Sequence, residues 1–82
     1  MHNKSYEFII QTRKDDIDFI NKIMEAYEGV GVVRTVDPQK GIIDIIVTED
    51  FIDDARMIIN DLNNRHAKAE IIQEAPWSGE LH

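Results

Sequence analysis

Short stretches rich in β-branched and aromatic residues predict four β-strands along the chain. Three of them are "SYEFIIQ" (5–11), "GVVRTV" (31–36) and "IIDIIVT" (42–48). The fourth is "AKAEIIQE" (67–74). It is expected to stop before Pro76, because proline cannot donate a hydrogen bond to a strand ladder.

Apolar residues recur at helical spacing in the two long segments between these strands. A first helix is predicted from Asp16 to Glu28, and Gly29 can end it by adopting the left-handed conformation. A second helix is predicted from Glu49 to about Asn64. Asp15 and Thr48 precede the two helices and are the predicted N-cap residues.

The element order βαββαβ predicts an α+β fold, the ferredoxin-like plait. It has a four-stranded antiparallel sheet, in the order 4-1-3-2, with two helices on one face. A chain of 82 residues is long enough for one small domain. We therefore expect a single domain over residues 1–74 and a short C-terminal tail over residues 75–82.

The helix-free side of this sheet would be unusually apolar. Ile9, Ile42 and Ile46 are expected there, together with one of Ile71 and Ile72. The open side of an antiparallel sheet is normally polar, and an uncovered apolar patch usually marks an interface. The pattern thus predicts a homodimer, in which two sheets meet or edge strands pair.

Arg34 is a charged residue in a strand of valines, and its direction depends on the hairpin that follows. With a five-residue loop, Val36 opposes Ile42 and Arg34 opposes Asp44, on the helix-free side. With a four-residue loop, Arg34 opposes Ile45 and points toward the helices. The first register is favoured because it gives the arginine a partner of opposite charge.

Trp77, the single tryptophan, follows Pro76 in the predicted tail. We expect it to dock on the domain or on a second subunit, because tryptophan is enriched at interface hot spots. The predicted interface residues are Val32, Arg34, Ile42, Asp44, Ile46 and Trp77.

The stretch "EAYEGVGVVRTVDPQKGIIDIIV" (25–47) resembles a small bacterial family known only as a domain of unknown function. The similarity includes the helix ending, the "VVRT" strand and the "D-P-x-x-G" hairpin, and it extends over roughly residues 5–73. It implies the ferredoxin-like plait and no particular activity.

A looser, fold-level likeness is to ACT-type regulatory domains, which share the βαββαβ order and bind amino acids at dimer interfaces. It implies an alternative function, a small-molecule ligand bound at a subunit boundary by Glu25, Glu28, Arg34 and Thr35. ACT domains usually carry a glycine at the first strand–helix junction, whereas this junction is "QTRKDD".

Charge and composition exclude several classes of protein. Sixteen acidic and nine basic residues give a net charge of −7, so neither nucleic acid nor an anionic membrane surface is an expected partner. No stretch approaches the ~20 apolar residues of a membrane span, and "MHNKSYEFII" lacks the pattern of a signal peptide. With no cysteine as well, a cytoplasmic location is expected.

No motif for catalysis or cofactor binding is present. The chain has no nucleophile elbow, no glycine-rich phosphate loop and no histidines at zinc-ligand spacing, so we expect a protein that is not an enzyme and has no cofactor. Acidic residues open both helices, and the first and third strands are expected to run parallel, which would bring these openings together. A divalent cation or a basic partner could bind there, but capping and the helix dipole explain the acids, and no metal is predicted.

Overall fold

The computed structural model describes residues 4–27, 29–65 and 67–77 of the chain. The elements are β1 (Ser5–Gln11), α1 (Ile17–Ala26), β2 (Gly31–Asp37), β3 (Ile42–Thr48), α2 (Ile52–Arg65) and β4 (Glu70–Trp77). The four strands form one sheet in the order β2-β3-β1-β4, and every pair of neighbours is antiparallel. This is the predicted ferredoxin-like plait.

The core lies between the two helices and one face of the sheet. Its buried members are Phe8, Ile10, Ile20, Met24, Ile43, Ile45, Val47, Ala55, Ile59, Leu62 and Ala69. Side chains alternate between the two faces of a strand, so the residues between these core positions point away from the helices. In the two central strands they include Glu7, Ile9, Asp44 and Ile46.

The central strands β1 and β3 run antiparallel, so that Ser5 pairs with Thr48 and Gln11 with Ile42. The expectation that they run parallel is wrong. Because β1 ends where β3 begins, the acidic openings of α1 and α2 lie at opposite ends of the sheet. Within the described residues, no group of three or more histidine, aspartate and glutamate side chains is placed to hold a metal ion.

Each helix is preceded by a short 3-10 turn; Thr48 is the N-cap residue of the second turn, as predicted, whereas the predicted N-cap Asp15 is wrong. Asp15 lies inside the first turn, and the side chain of Thr48 makes no capping hydrogen bond. Asp16 instead accepts a hydrogen bond at its Oδ2 from the backbone N–H of Lys68, at 3.2 Å. This bond ties the start of α1 to the segment that leads into β4.

Strand β4 begins and ends three residues later than predicted. It continues through Ala75 and Pro76 to Trp77, which pairs with Ser5 of β1. The predicted strand of residues 67–74 and the start of the tail at residue 75 are therefore corrected. Pro76 is accommodated because β4 is an edge strand, where a residue without an N–H can be tolerated.

The β2–β3 hairpin is closed by a hydrogen-bonded turn between Asp37 and Gly41. Asp37 accepts hydrogen bonds at Oδ1 from the backbone N–H groups of Gln39 and Lys40, both at 3.1 Å. The backbone N–H of Gly41 donates to the carbonyl of Pro38 at 3.4 Å, and Gly41 has a φ of +69°. Glycine adopts this conformation without a steric penalty.

The hairpin register pairs Arg34 with Asp44, as favoured from the sequence. The predicted pairing of Val36 with Ile42 is wrong, because Asp37 takes that position and a bulge absorbs the extra residue. A bulge leaves one residue of the longer strand without a partner. It therefore permits the longer β2 strand while keeping Arg34 opposite Asp44.

A charged cluster on the helix side joins β4 to α2. Glu74 accepts hydrogen bonds from the Tyr6 hydroxyl at 2.7 Å and from Arg56 Nη1 at 2.8 Å. The hydrogen bond from Tyr6, and then the contact with Arg56, lower the pKa of Glu74. Arg56 also lies 5.5 Å from the centre of the Phe8 ring.

No helix of the described residues is long and apolar enough to cross a membrane.

Candidate functional site

Asp44 is a buried carboxylate on the side of the sheet that no helix covers. Its neighbours in β3, Ile43 and Ile45, point into the core, so Asp44 points the other way, yet it is only 1% exposed. Arg34 lies directly opposite on β2 and donates from Nε to Oδ1 at 3.1 Å and from Nη2 to Oδ2 at 2.7 Å. This bidentate geometry is the strongest arrangement of the two groups. The hydrogen bond with Asp44 raises the pKa of Arg34.

Glu7 of β1 adds a second carboxylate to this pair. Its Oε2 lies 4.0 Å from Arg34 Nη2, and its side chain is 23% exposed. A hydrogen bond with Asp44, and then desolvation, raise the pKa of Glu7 above its ordinary value. Glu7, Arg34 and Asp44, here called the charged trio, therefore contain two carboxylates that share one guanidinium.

Trp77 lies against the charged trio from the far edge of the sheet. The Arg34 guanidinium carbon is 5.4 Å from the centre of the Trp77 ring, within cation–π range. Since β2 and β4 are the two edges of the sheet, the Arg34 side chain reaches across it toward β4. Arg34 and Trp77 thus link the two edges over the buried Asp44.

Apolar side chains surround the charged trio. Val32 is 63% exposed, and Ile9, Ile42 and Ile46 are half-buried. Ile71 packs against the core and Ile72, at a bulge, is 50% exposed. The surface is called the helix-free face below, and consists of Glu7, Ile9, Val32, Arg34, Ile42, Asp44, Ile46 and Trp77. All six predicted interface residues lie on it.

Comparison with known proteins identifies a family and no activity. Residues 10–65 match the family described as Domain of unknown function (DUF4911), and this range covers more than half of the chain. The chain belongs to this family. This match confirms the predicted resemblance to a family of unknown function. Neither the curated proteins nor the solved structures gave a match.

The match to the DUF4911 family covers part of the charged trio. Arg34 and Asp44 lie within the matched residues, whereas Glu7 and Trp77 lie outside them. The salt bridge is therefore built by the β2–β3 hairpin of the family domain. The first and last strands of this chain add the second carboxylate and the indole.

The residues predicted for a small-ligand site do not come together within this DUF4911 chain. Arg34 is on the helix-free face, whereas Glu25 is exposed on α1, on the other side of the sheet. Thr35 opposes Ile43 and thus belongs to the helix side. Glu28 lies outside the described residues. Such a site would need groups from a second chain.

Glu7 is not among the predicted interface residues, although it precedes the core residue Phe8 in β1 and therefore lies on the helix-free face. The available indication was a charged residue inside an otherwise apolar central strand. Its contact with Arg34 depends on the order of three strands, β2, β3 and β1, and on the length of the arginine side chain. Strand periodicity alone gives the face of a residue and not its neighbours.

We expect Glu7→Gln to stabilise the fold at neutral pH by about 1 kcal/mol, the size of one hydrogen bond. A raised pKa means that the folded state favours protonated Glu7, so wild-type stability falls as pH rises through the pKa of the folded state. Glutamine keeps a hydrogen-bond donor and carries no charge. Urea unfolding between pH 4 and pH 8 measures the effect, and the gain should vanish at the acidic end. A gain that does not depend on pH would contradict this account.

Proposed function

We propose that this chain is a non-catalytic interaction or sensory module that acts as a homodimer through its helix-free face. The observation that carries the proposal is the charged trio beneath Trp77, set among partly exposed apolar side chains. Arginine and tryptophan are the residues most enriched at interface hot spots, in desolvated centres surrounded by other contacts. On the helix-free face these two residues lie against each other, with the Arg34 guanidinium carbon 5.4 Å from the centre of the Trp77 ring.

The chemistry of the charged trio favours a second copy as the partner. Glu7 is held only loosely by its own Arg34, at 4.0 Å, because Arg34 is committed to Asp44. The bonds of Arg34 to Asp44 use Nε and Nη2, so in a two-fold dimer, where each contact occurs twice, Nη1 of each Arg34 can donate to Glu7 of the other subunit. A chain of 82 residues also buries a limited share of its surface and gains stability by association.

The test replaces Val32 by glutamate and measures the mass in solution by light scattering. Val32 is 63% exposed in the single chain, so the fold tolerates the charge, while a dimer would have to bury it next to Ile46 on the face that also carries Glu7. We expect a dimeric wild-type chain and a monomeric Val32→Glu variant with an unchanged circular-dichroism spectrum. The matched control is Met57→Glu on α2, where the side chain is 65% exposed on the helix side.

Two results would overturn the proposal. One is a wild-type chain that remains monomeric at micromolar and higher concentrations. The other is a dimer that survives Val32→Glu but dissociates in Met57→Glu, which would move the interface to the helix side. Ile46→Glu provides a second test on the helix-free face, and it should also dissociate the dimer.

An ACT-like domain that binds a small ligand at the subunit boundary is the alternative. The observation that favours it is a cleft of about 250 Å³ between α1 and β2, which Glu25 lines together with Val32 and Val33. Native mass spectrometry of the untagged chain would show such a ligand as an adduct on the two-chain mass. Arg34→Ala would remove the adduct and leave the dimer, whereas in the leading proposal it weakens the dimer.

A cytoplasmic location and the absence of nucleic-acid partners remain inferences from charge and composition. The net charge of −7 is the reason for expecting no nucleic-acid partner. Both are compatible with either proposed function, so neither distinguishes the homodimeric module from the ligand-binding domain.

A further inference from the structure

A groove lies between the end of α1 and the outer side of α2, away from the helix-free face. Its volume is about 380 Å³, which falls in the usual range of small-molecule sites. The lining residues are Tyr27, Val30, Asp54, Met57, Ile58 and Asp61. We propose that this α2 groove binds an aliphatic diamine or polyamine.

The apolar part of the groove suits a methylene chain. Tyr27 is 46% exposed and Met57 is 65% exposed, an unusual amount for two large side chains that flank one cavity. Val30 and Ile58 are half-buried between them. Methionine adapts its shape to irregular ligands, and a tyrosine ring attracts an ammonium group to its face.

The two carboxylates of the groove suit ammonium groups at the ends of such a chain. Asp54 and Asp61 are two helical turns apart, so they lie on the same side of α2 at a separation of about 10.5 Å along the axis. Asp61 already interacts with another group of the chain, so a ligand ammonium group would share this carboxylate with that group. Asp54 is therefore the main binding group for the ligand. The net charge of −7 also favours cations over neutral or anionic ligands.

A bare metal ion fits this arrangement less well than an organic cation. It would leave the apolar floor of the groove in contact with water. Moreover, the described residues include no cluster of three or more metal-ligating side chains. The combination of apolar floor and carboxylate rim is matched only by a ligand that has both a hydrocarbon part and positive charge.

The test is a titration of the isotope-labelled full chain with spermidine and with diaminooctane, followed by amide chemical shifts. We expect saturable shifts centred on Val30, Met57 and Ile58. Asp54→Asn should weaken binding about fivefold, the effect of losing one exposed ion pair. Asp53→Asn is the matched control, because Asp53 is exposed on the same helix and does not line the groove. Two controls should cause no saturable shift: hexanediol at the same concentration as the amine, and sodium chloride at the same ionic strength.

Three outcomes would overturn the proposal. Shifts that do not saturate and spread over all acidic segments would indicate non-specific attraction. Equal weakening in Asp54→Asn and Asp53→Asn would remove the groove as the site. Shifts at Met57 that depend on protein concentration and not on amine would assign the groove to a second copy. The proposal does not rest on the homodimer, since the Val32→Glu monomer should bind the amines equally well.

Discussion

Replacing Arg34 by methionine is expected to lower the free energy of unfolding by about 3 kcal/mol. The loss comes mainly from Asp44, which is 1% exposed and would lose the arginine that binds both of its carboxylate oxygens. Methionine preserves much of the apolar stem of arginine, so the change isolates the guanidinium. Urea unfolding followed by circular dichroism measures this change in the free energy of unfolding. Both chains should carry Val32→Glu, so that subunit association does not contribute to the measured stability.

Arg56→Met is the matched control for this prediction. Arg56 is 39% exposed and Arg34 is 38% exposed, both contact an aromatic ring, and both bind a carboxylate. Their partners differ, since Glu74 is 28% exposed. We expect Arg56→Met to cost about 1 kcal/mol, because water can solvate Glu74 after the arginine is lost.

The burial of Asp44 can be tested further by removing it together with Arg34. In the double variant Arg34→Met and Asp44→Leu, most of the lost stability should return, because a buried ion pair can often be replaced by apolar side chains without loss. Equal losses in Arg34→Met and Arg56→Met would contradict the importance of the buried partner. So would a double variant that is no more stable than Arg34→Met.

Local patterns predicted the elements of this fold well. Ser5–Gln11 and Ile42–Thr48 form strands as expected from their β-branched and aromatic residues, and Gly29 has the predicted positive φ. The end of strand β4 was harder to predict. A proline such as Pro76 would end a central strand, but it is tolerated in an edge strand. Whether a strand lies at an edge depends on the whole topology.

The candidate site could be predicted in part. The pairing of Arg34 with Asp44 followed from the opposite charges of two residues in one hairpin, and hence from neighbouring residues in the sequence, although the loop is one residue shorter than predicted and a bulge makes up the difference. The position of Trp77 did not, because β4 returns to the sheet from the far end of the chain and places the indole near an arginine of the opposite edge. Contacts of this kind require the strand order together with side-chain lengths, which periodicity does not contain.

Replacing Gly41 by alanine is expected to cost about 3 kcal/mol or more, a second large effect in the same hairpin. Gly41 has a φ of +69°, and a Cβ at this position would collide with the backbone carbonyl of Thr12. The contact is close because the Thr12 N–H donates to the Gly41 carbonyl at 2.7 Å and Gln11 Nε2 donates to the Lys40 carbonyl at 2.6 Å. The position of the added Cβ is fixed by the backbone of residue 41 and the carbonyl belongs to the backbone of Thr12, so the collision cannot be relieved without breaking these bonds.

Gly29→Ala separates the collision from the backbone conformation. Gly29 has a similar φ of +82°, but nothing lies within 4 Å of a Cβ built there, so only the cost of the left-handed conformation applies, about 1 kcal/mol. Urea unfolding of both variants gives the difference, which we attribute to the packing of the turn against the end of β1. Equal costs would mean that the turn can move away from Thr12. In that case the hairpin would not hold Arg34 over Asp44 rigidly, and a smaller loss would be expected for Arg34→Met as well.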